Sequence, residues 1–502
     1  MSERYRDFER LFIDGEWRRG GADPKPDLNP WTEEPLLEAP QANADDLDDA
    51  YAAAERAQAG WAAKLPSERA QVFAGVARIM EARRDEIVEW LVREAGSTQL
   101  KAALEWKAVN GVMLEAAALP HRVEGAILPT DTPGKESRVY RKPVGVVGVI
   151  SPWNCPFQLS ARSVAPAMAV GNAVVLKPAS DTPVSGGLLL AKLFEEAGLP
   201  PGVFNVVPGS GHDIGDAFVK HATPRVISFT GSTAVGRGVG KLAYEADTIK
   251  RLELELGGDG PIVILADADL DLAVEASVWG KFLHQGQICM IANRIVVEAP
   301  VYDAFVDRFA DRVRSLKVGD SDDPETMIGP IINRRQLESV KGHIAKARAA
   351  GYRELAGGEP DGLVLPPHVF ADVEPRGALH RQEIFGPVAP IIRAADANHA
   401  LRIANDTEYG LSASVFTRDL ERGVRFARAM QAGMAHVNDQ PVNDLPFSPF
   451  GGEKNSGVGR FNGRWAVDAF TTEQWVSLQH GPRPYPFSAA TLAPGPTESA
   501  GG

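Results

Sequence analysis

Short unbroken apolar runs alternate with longer stretches whose apolar residues recur every three or four positions, and this rhythm dominates the chain from residue 144 to about 440. The runs 144–150, 173–176, 204–207 and 225–229 read as strands. Helical text lies between them at about 156–169, 183–197 and 212–220, and a fifth strand, 250–256, ends in Gly257 and Gly258. Such alternation predicts βαβ units and a parallel sheet covered on both faces. The rhythm restarts with a strand at 261–265, a helix at 270–282 opened by Asp267 and Asp269, a strand at 294–298 and a helix over about 301–316. The predicted fold class is α/β.

The flanks differ. Residues 11–40 read as short strands and turns, with Asp14 and Gly15 as a hairpin signal. Residues 44–119 are helical, and the stripes Val72, Val76, Ile79, Met80 and Ile87, Leu91, Val92 are expected in a core. The segment 122–142, with Pro129, Pro133 and Gly134, reads as a projecting hairpin, either a surface loop or an arm for a neighbouring subunit. The last stretch, 487–502, is rich in Ala, Gly, Pro, Ser and Thr and is expected to be disordered.

Composition narrows the class. With 502 residues the chain has room for two to four units at roughly 150 residues each. A net charge of −13, from 53 basic and 66 acidic residues without a basic run, argues against nucleic acid as partner. Two cysteines make no disulfide framework, no apolar run is long enough to span a membrane, and residues 1–6 lack the apolar core of a signal peptide. A cytoplasmic protein is expected. The ten histidines are dispersed and His380 with Glu383 has no further ligand nearby, so no metal site is predicted.

Candidate chemistry sits at strand ends. Cys289 follows Gly286 and Gln287 at the end of an apolar segment; it is either a thiolate nucleophile presented to a pocket or a small buried hydrophobe. Asn154 lies just beyond the carboxyl end of strand 144–150, where α/β sheets bind ligands, and can donate to an oxyanion or form a turn. Lys177 can reach ribose or phosphate oxygens, or be a solvated loop lysine. Two glycine clusters, 209–215 and 229–236, follow further strands; neither is the standard dinucleotide fingerprint, yet two in successive βα turns favour dinucleotide binding. Glu255, followed by two glycines, can act as a base on water, whereas Glu253 reads as a strand-end salt bridge. Glu383 places another carboxylate in a loop bounded by Pro387.

In order along the chain stand PWN at 152–154, KP at 177–178, FTGST at 229–233, ELGG at 255–258, GQIC at 286–289 and EIFGP at 383–387, with a further match at 449–457. From about Leu11 to Gln479 the chain resembles the aldehyde dehydrogenase superfamily. That resemblance implies an aldehyde dehydrogenase-like fold, with a Rossmann-type cofactor domain (1–122 and 143–255), an α/β catalytic domain (256–448) and a small β oligomerisation element (123–142 and 468–480). It implies attack by Cys289 on the aldehyde, an oxyanion held by Asn154 and the Cys289 N–H, hydride loss to NAD or NADP, and hydrolysis of the thioester with Glu255 as base. Glu383 would hold the nicotinamide ribose beside Phe385, and Lys177, given both a catalytic and a cofactor role, the adenosine ribose. The groove would also include Ile150, Ser151, Pro152, Trp153, Ser180, Gly211, Gly215, Phe229, Gly231, Ser232, Val235, Leu256 and Gly257. The substrate would meet Cys155, Leu159, Arg162, Ile288 and Met290, with Cys155 as a packing residue or pocket wall.

Two departures from the family pattern matter. Ser180 stands where many NAD-preferring members carry glutamate, which removes a repulsion against a 2′-phosphate, so NADP is expected to be accepted as well as NAD. Arg162 stands where members often have an aromatic; it would attract an electronegative or aromatic substrate, or cap a surface salt bridge. The runs 177–183, 438–444 and 451–457 look most like the benzaldehyde and vanillin dehydrogenase branch, implying an aromatic aldehyde, with an aliphatic aldehyde or semialdehyde as the alternative. A coenzyme A-acylating relative would lack Glu255, and a non-catalytic one would have lost Cys289, Asn154 or Glu255. The resemblance further implies a homodimer or homotetramer, with no membrane partner.

Overall fold

In the computed structural model, which describes residues 4–483 and 485, the two runs of strands build two separate sheets. In the first, Val146–Ile150, Ala173–Lys177 and Phe204–Val206 lie side by side in chain order, and Val226–Thr230 then Arg251–Glu255 are added on the opposite side of Val146–Ile150. All five are parallel. The antiparallel hairpin Leu11–Ile13 and Glu16–Arg18 closes one edge and Gly457–Val458 the other. Strand order therefore reverses between Val146–Ile150 and Val226–Thr230, which opens a crevice beyond their carboxyl ends.

Alternate residues of each strand enter different cores. Val147, Val149, Val174 and Leu176 pack with the helices Pro66–Ala82, Arg84–Ala95 and Gln99–Ala118, while Val146, Val175, Ile227 and Phe229 pack on the other face with Leu47, Tyr51 and Phe218. Val72, Val76, Met80, Ile87, Leu91 and Val92 are buried, and Ile79 is partly so. The second sheet runs Arg353–Ala356, His368–Ala371, Val388–Ala394, Ala292–Glu298, Gly260–Ile264, Ser412–Phe416, Met434–Val437, and is parallel except at its first strand. It too is apolar on both faces, Val263 and Val296 facing one core and Ile262 and Ile295 the other.

Two helices begin differently from the expected regular turns. The helical text at 183–197 opens as a π-helical turn, Val184–Leu188, before Leu189–Glu196. There the buried Glu94 carboxylate accepts the N–H groups of Val184 and Ser185, and a methyl group on Gly187 would stand 2.8 Å from Val206. The text at 212–220 likewise opens with Gly211–Gly215, capped by Ser210.

The projecting segment forms strands Ala126–Leu128 and Lys135–Pro143, and Thr471–Gln479 pairs along the whole of the latter. Among the described residues, no helix is long and apolar enough to cross a membrane and no group of three or more His, Cys, Asp or Glu side chains could hold a metal. The stretch 487–502 lies outside the described residues.

Candidate active site

Strand Arg251–Glu255 ends the first sheet, and after Leu256, Gly257, Gly258 and Asp259 the chain enters the second at Gly260. The carboxyl edge of one sheet is thereby brought against the amino edge of the other. A cavity of about 610 Å³ lies at this junction, over the point where strand order reverses. Its wall includes Ile150, Ser151, Pro152, Trp153, Asn154 and Leu159 from one strand end, and Phe229, Gly231, Ser232 and Val235 from the next. Glu255, Leu256, Gly257, Cys289, Glu383 and Phe385 complete the predicted part.

The cysteine is held by an unusual loop. Helix Leu270–Phe282 starts at Asp269, whose carboxylate accepts the N–H groups of Asp271 and Leu272. Beyond its end, His284, Gln285 and Gly286 all take left-handed conformations, with φ of 52°, 56° and 72°. Only glycine fits the third position, because a Cβ on Gly286 would lie 2.3 Å from the Gly386 carbonyl oxygen. The Gln285 amide donates to the carbonyls of Gly96 and Pro330, and Gln287 Oε1 accepts the Ile332 N–H, so the strained turn is anchored from three sides.

Cys289 emerges from this turn half-buried, between buried Ile288 and Met290. Burial pushes its thiol well above the usual range, the neighbouring Glu255 carboxylate adds to this, and the Arg162 charge opposes it. Burial and Glu255 thus favour the thiol over the thiolate here. Glu255, fully buried, accepts a bond from Arg162 Nη2 at 2.8 Å through Oε2, and its Oε1 is buried without a hydrogen-bond partner among the described residues.

Asn154 Nδ2 donates to the Gln287 carbonyl at 2.9 Å, which uses one of its two amide hydrogens and leaves the other for a ligand. Its own carbonyl accepts from Lys101 Nζ at 2.8 Å. Lys101 pairs with Glu105 at 2.5 Å, and Glu105 accepts the N–H groups of Phe157 and Gln158 at the start of helix Pro156–Ala169. This buried pair fixes the Asn154 turn and was missed in the sequence reading. Its signal is a Lys and a Glu four apart inside an apolar stripe, too common on exposed helices to single out.

The remaining wall suits a dinucleotide. A Cβ on Gly231 would lie 2.6 Å from the Phe229 ring, and one on Gly257 2.4 Å from Glu383, so both glycines leave space that a side chain would take. Ser232 caps helix Thr233–Glu245, whose first turn borders the cavity and can receive phosphate. Glu383 accepts the Gly258 N–H at 2.9 Å; burial raises its carboxyl to about 7, with Glu255 and Asp259 contributing in the same direction. Phe385 meets Trp153 edge-on at 5.5 Å and its carbonyl is held by Gln336, a cavity residue not predicted from sequence, as are Thr230, Arg335, Ser339 and Ile384.

Other predicted residues lie outside this wall. Lys177 pairs in register with Ile150, is buried, and is lowered to about 8 by that burial rather than being a solvated loop lysine. Ser180 is exposed in the turn beyond it. Gly211 and Gly215 have open space where a side chain would go, so steric need does not explain them. Cys155, its thiol pushed to about 12 by burial, packs with Ile288, Met290, Phe450 and Phe461. Arg162 corrects its expectation: it is 1% exposed, neither at the surface nor on the cavity wall, and it bridges Glu255 and Asp444. Glu253 forms the expected strand-end salt bridge, Arg251 Nη2 lying 3.9 Å from its Oε1, although it is buried and burial raises its carboxyl to about 7.

Two sheets meeting at a switch-point crevice, with a thiol at one wall and a glycine-lined groove at the other, make the architecture of a dinucleotide-linked oxidoreductase. The chain belongs to the aldehyde dehydrogenase family, whose sequence profile matches residues 17–476. It is 49% identical over 474 residues to a vanillin dehydrogenase of Corynebacterium glutamicum, covering 94% of this chain and 98% of that one. Among solved structures it is similar to an NAD-dependent benzaldehyde dehydrogenase from Corynebacterium glutamicum, at 46% identity and a TM-score of 0.88, over 95% of this chain and 99% of that one. A salicylaldehyde dehydrogenase from Pseudomonas putida G7, complexed with salicylaldehyde, superposes with a TM-score of 0.92 at 36% identity, over 95% of this chain and 99% of that one.

Proposed function

We propose that this aldehyde dehydrogenase oxidises an aromatic aldehyde of the benzaldehyde or vanillin type to its carboxylic acid, using NAD or NADP. The observation that carries the reading is the convergence of Cys289, Asn154, Glu255 and Glu383 on one cavity. The named activities of the similar proteins support an aromatic substrate.

Cys289 Sγ adds to the aldehyde carbon as its proton passes to Glu255. The free N–H of Asn154 and the Cys289 backbone N–H hold the resulting oxyanion. A dinucleotide held in the groove by Glu383 and Lys177 would supply the hydride acceptor. Loss of the hydride from carbon would collapse the oxyanion to an acyl thioester on Cys289; Glu255, once it has released the thiol's proton to solvent, takes a proton from the water that attacks the thioester, and Cys289 leaves as the thiolate. Glu383 would bind ribose hydroxyls, Lys177 the second ribose, and exposed Ser180 would leave room for a 2′-phosphate.

The cofactor, catalytic and oligomerisation units follow the boundaries 1–122 with 143–255, 256–448, and 123–142 with 468–480. Exposed Ile127, Tyr140 and Trp475 on the three-stranded element support its role in joining subunits into a dimer or tetramer. The chain is read as cytoplasmic. The test is NADH and NADPH formation across an aldehyde panel, wild type against Cys289→Ala; aliphatic aldehydes exceeding benzaldehyde about tenfold in kcat/KM would overturn the aromatic reading, and an active Cys289→Ala the mechanism.

A further inference from the structure

We infer that Arg162 is a positioning residue for Glu255: its buried guanidinium holds the carboxylate turned so that its second oxygen is left for proton transfer at Cys289. The inference rests on the proposed aldehyde oxidation and adds to it the device by which the base is kept ready.

A carboxylate with no exposed surface is expensive unless paired, and an unpaired one would take up a proton. Glu255 meets that cost through Arg162 Nη2 at 2.8 Å on Oε2, which leaves Oε1 unbonded. Arg162 is itself enclosed, although its buried Nε has no hydrogen-bond partner among the described residues. Its Nη1 lies 3.4 Å from Asp444 Oδ2, and its plane sits 4.1 Å from the Phe450 ring centre and 4.7 Å from that of Phe461. Asp444 is held in turn by Gln158 and Asn462. The guanidinium thus cannot swing away, and the carboxylate it grips inherits its orientation. A planar fork that spans two carboxylates is a task for arginine rather than lysine.

The ionisable groups around Glu255 include Arg162 from helix Pro156–Ala169, Cys155 just before that helix, Cys289 from the nucleophile turn, and Glu383 from the loop opposite, with Asp444 across the guanidinium and Lys101 and Glu105 acting on Cys155. Arg162 is the cation bonded to Glu255 and acting on the Cys289 thiol. Without it the Cys289 thiol loses the charge that opposes its upward shift, so activity should fail at a higher pH on acidification.

The experiment measures kcat/KM for benzaldehyde with NAD against pH in wild type, R162M, R162K and E255Q, and in R162M/E255Q. Expected for R162M is a loss of about tenfold or more at pH 7 and an acid limb moved up by about one pH unit. R162K, which keeps the charge, should restore the limb while remaining about fivefold slow. In the E255Q background the R162M change should cost less than about threefold, because the two residues act as a unit. An acid limb unmoved in folded R162M, or a full R162M loss in the E255Q background, overturns the inference. Should R162M not fold, R162K carries the test, and wild-type rates in that variant overturn it. A wild type inactive on every aldehyde fails the functional reading itself, whereas an active wild type with an indifferent Arg162 fails only this inference.

Discussion

The backbone of Gly258 lies against that of Cys289 so closely that a methyl group on Gly258 would stand 2.2 Å from the Cys289 carbonyl oxygen. The same glycine donates its N–H to Glu383. One residue without a side chain therefore sets the spacing between the thiol, the end of the Glu255 strand and the Glu383 carboxylate.

Gly258→Ala has to push the nucleophile turn aside, since the clash is backbone to backbone. We expect kcat to fall by ~10²-fold or more, as for a displacement of about 1 Å in a reacting group. Gly211→Ala meets open space and should leave kcat and the KM for NAD within about twofold. Steady-state kinetics of the two variants checks the contrast.

Asn154→Ala removes the amide whose free hydrogen faces the cavity. Its kcat should drop by ~10²–10³ with the KM for NAD little changed. The lost tie to the Gln287 carbonyl adds a local loosening that hydrogen exchange at residues 284–290 would detect.

How far the chain was readable before folding depended on how local the signal was. Strands such as Val226–Thr230 and Gly260–Ile264 were found to within one residue, because unbroken apolar runs between turn residues carry their own boundaries. Cys289, Asn154, Glu255 and Glu383 were marked by short motifs at strand ends and loops. Arg162 was misplaced because its partners lie 93 and 282 residues away, and no local pattern says that an arginine in a helix will be enclosed. Lys101 and Glu105 escaped notice for the same reason, their target being the Asn154 turn 53 residues on.

Glu383 provides a pH test. Burial raises its carboxyl to about 7 in the folded protein, against ~4.3 when unfolded. A raised carboxyl holds its proton longer in the folded state, so its contribution to stability is lost as pH rises from about 4 through 7. Glu383→Gln should therefore raise the unfolding temperature by a few degrees at pH 8 and not at pH 4. In wild type the KM for NAD should increase as pH falls below 7, and in the variant that dependence should disappear. Thermal melts and NAD titrations across this range check both.

Ser180 bears on cofactor choice. Wild type should use NADP with a kcat/KM within about a thousandfold of that for NAD, and Ser180→Glu should shift the ratio toward NAD by roughly tenfold, about 1.4 kcal/mol. A ratio unchanged in the variant would place the 2′-hydroxyl contacts elsewhere.

The central claim is that an acyl group is carried on Cys289 and released by water that Glu255 activates. It is tested most directly by mixing Glu255→Gln with benzaldehyde and NAD, quenching within the first turnover and mapping the adduct by peptide mass spectrometry. The account predicts NADH up to one equivalent per active site and a benzoyl group on the peptide containing Cys289. NADH formation at the wild-type rate with no acyl group on that peptide would contradict it.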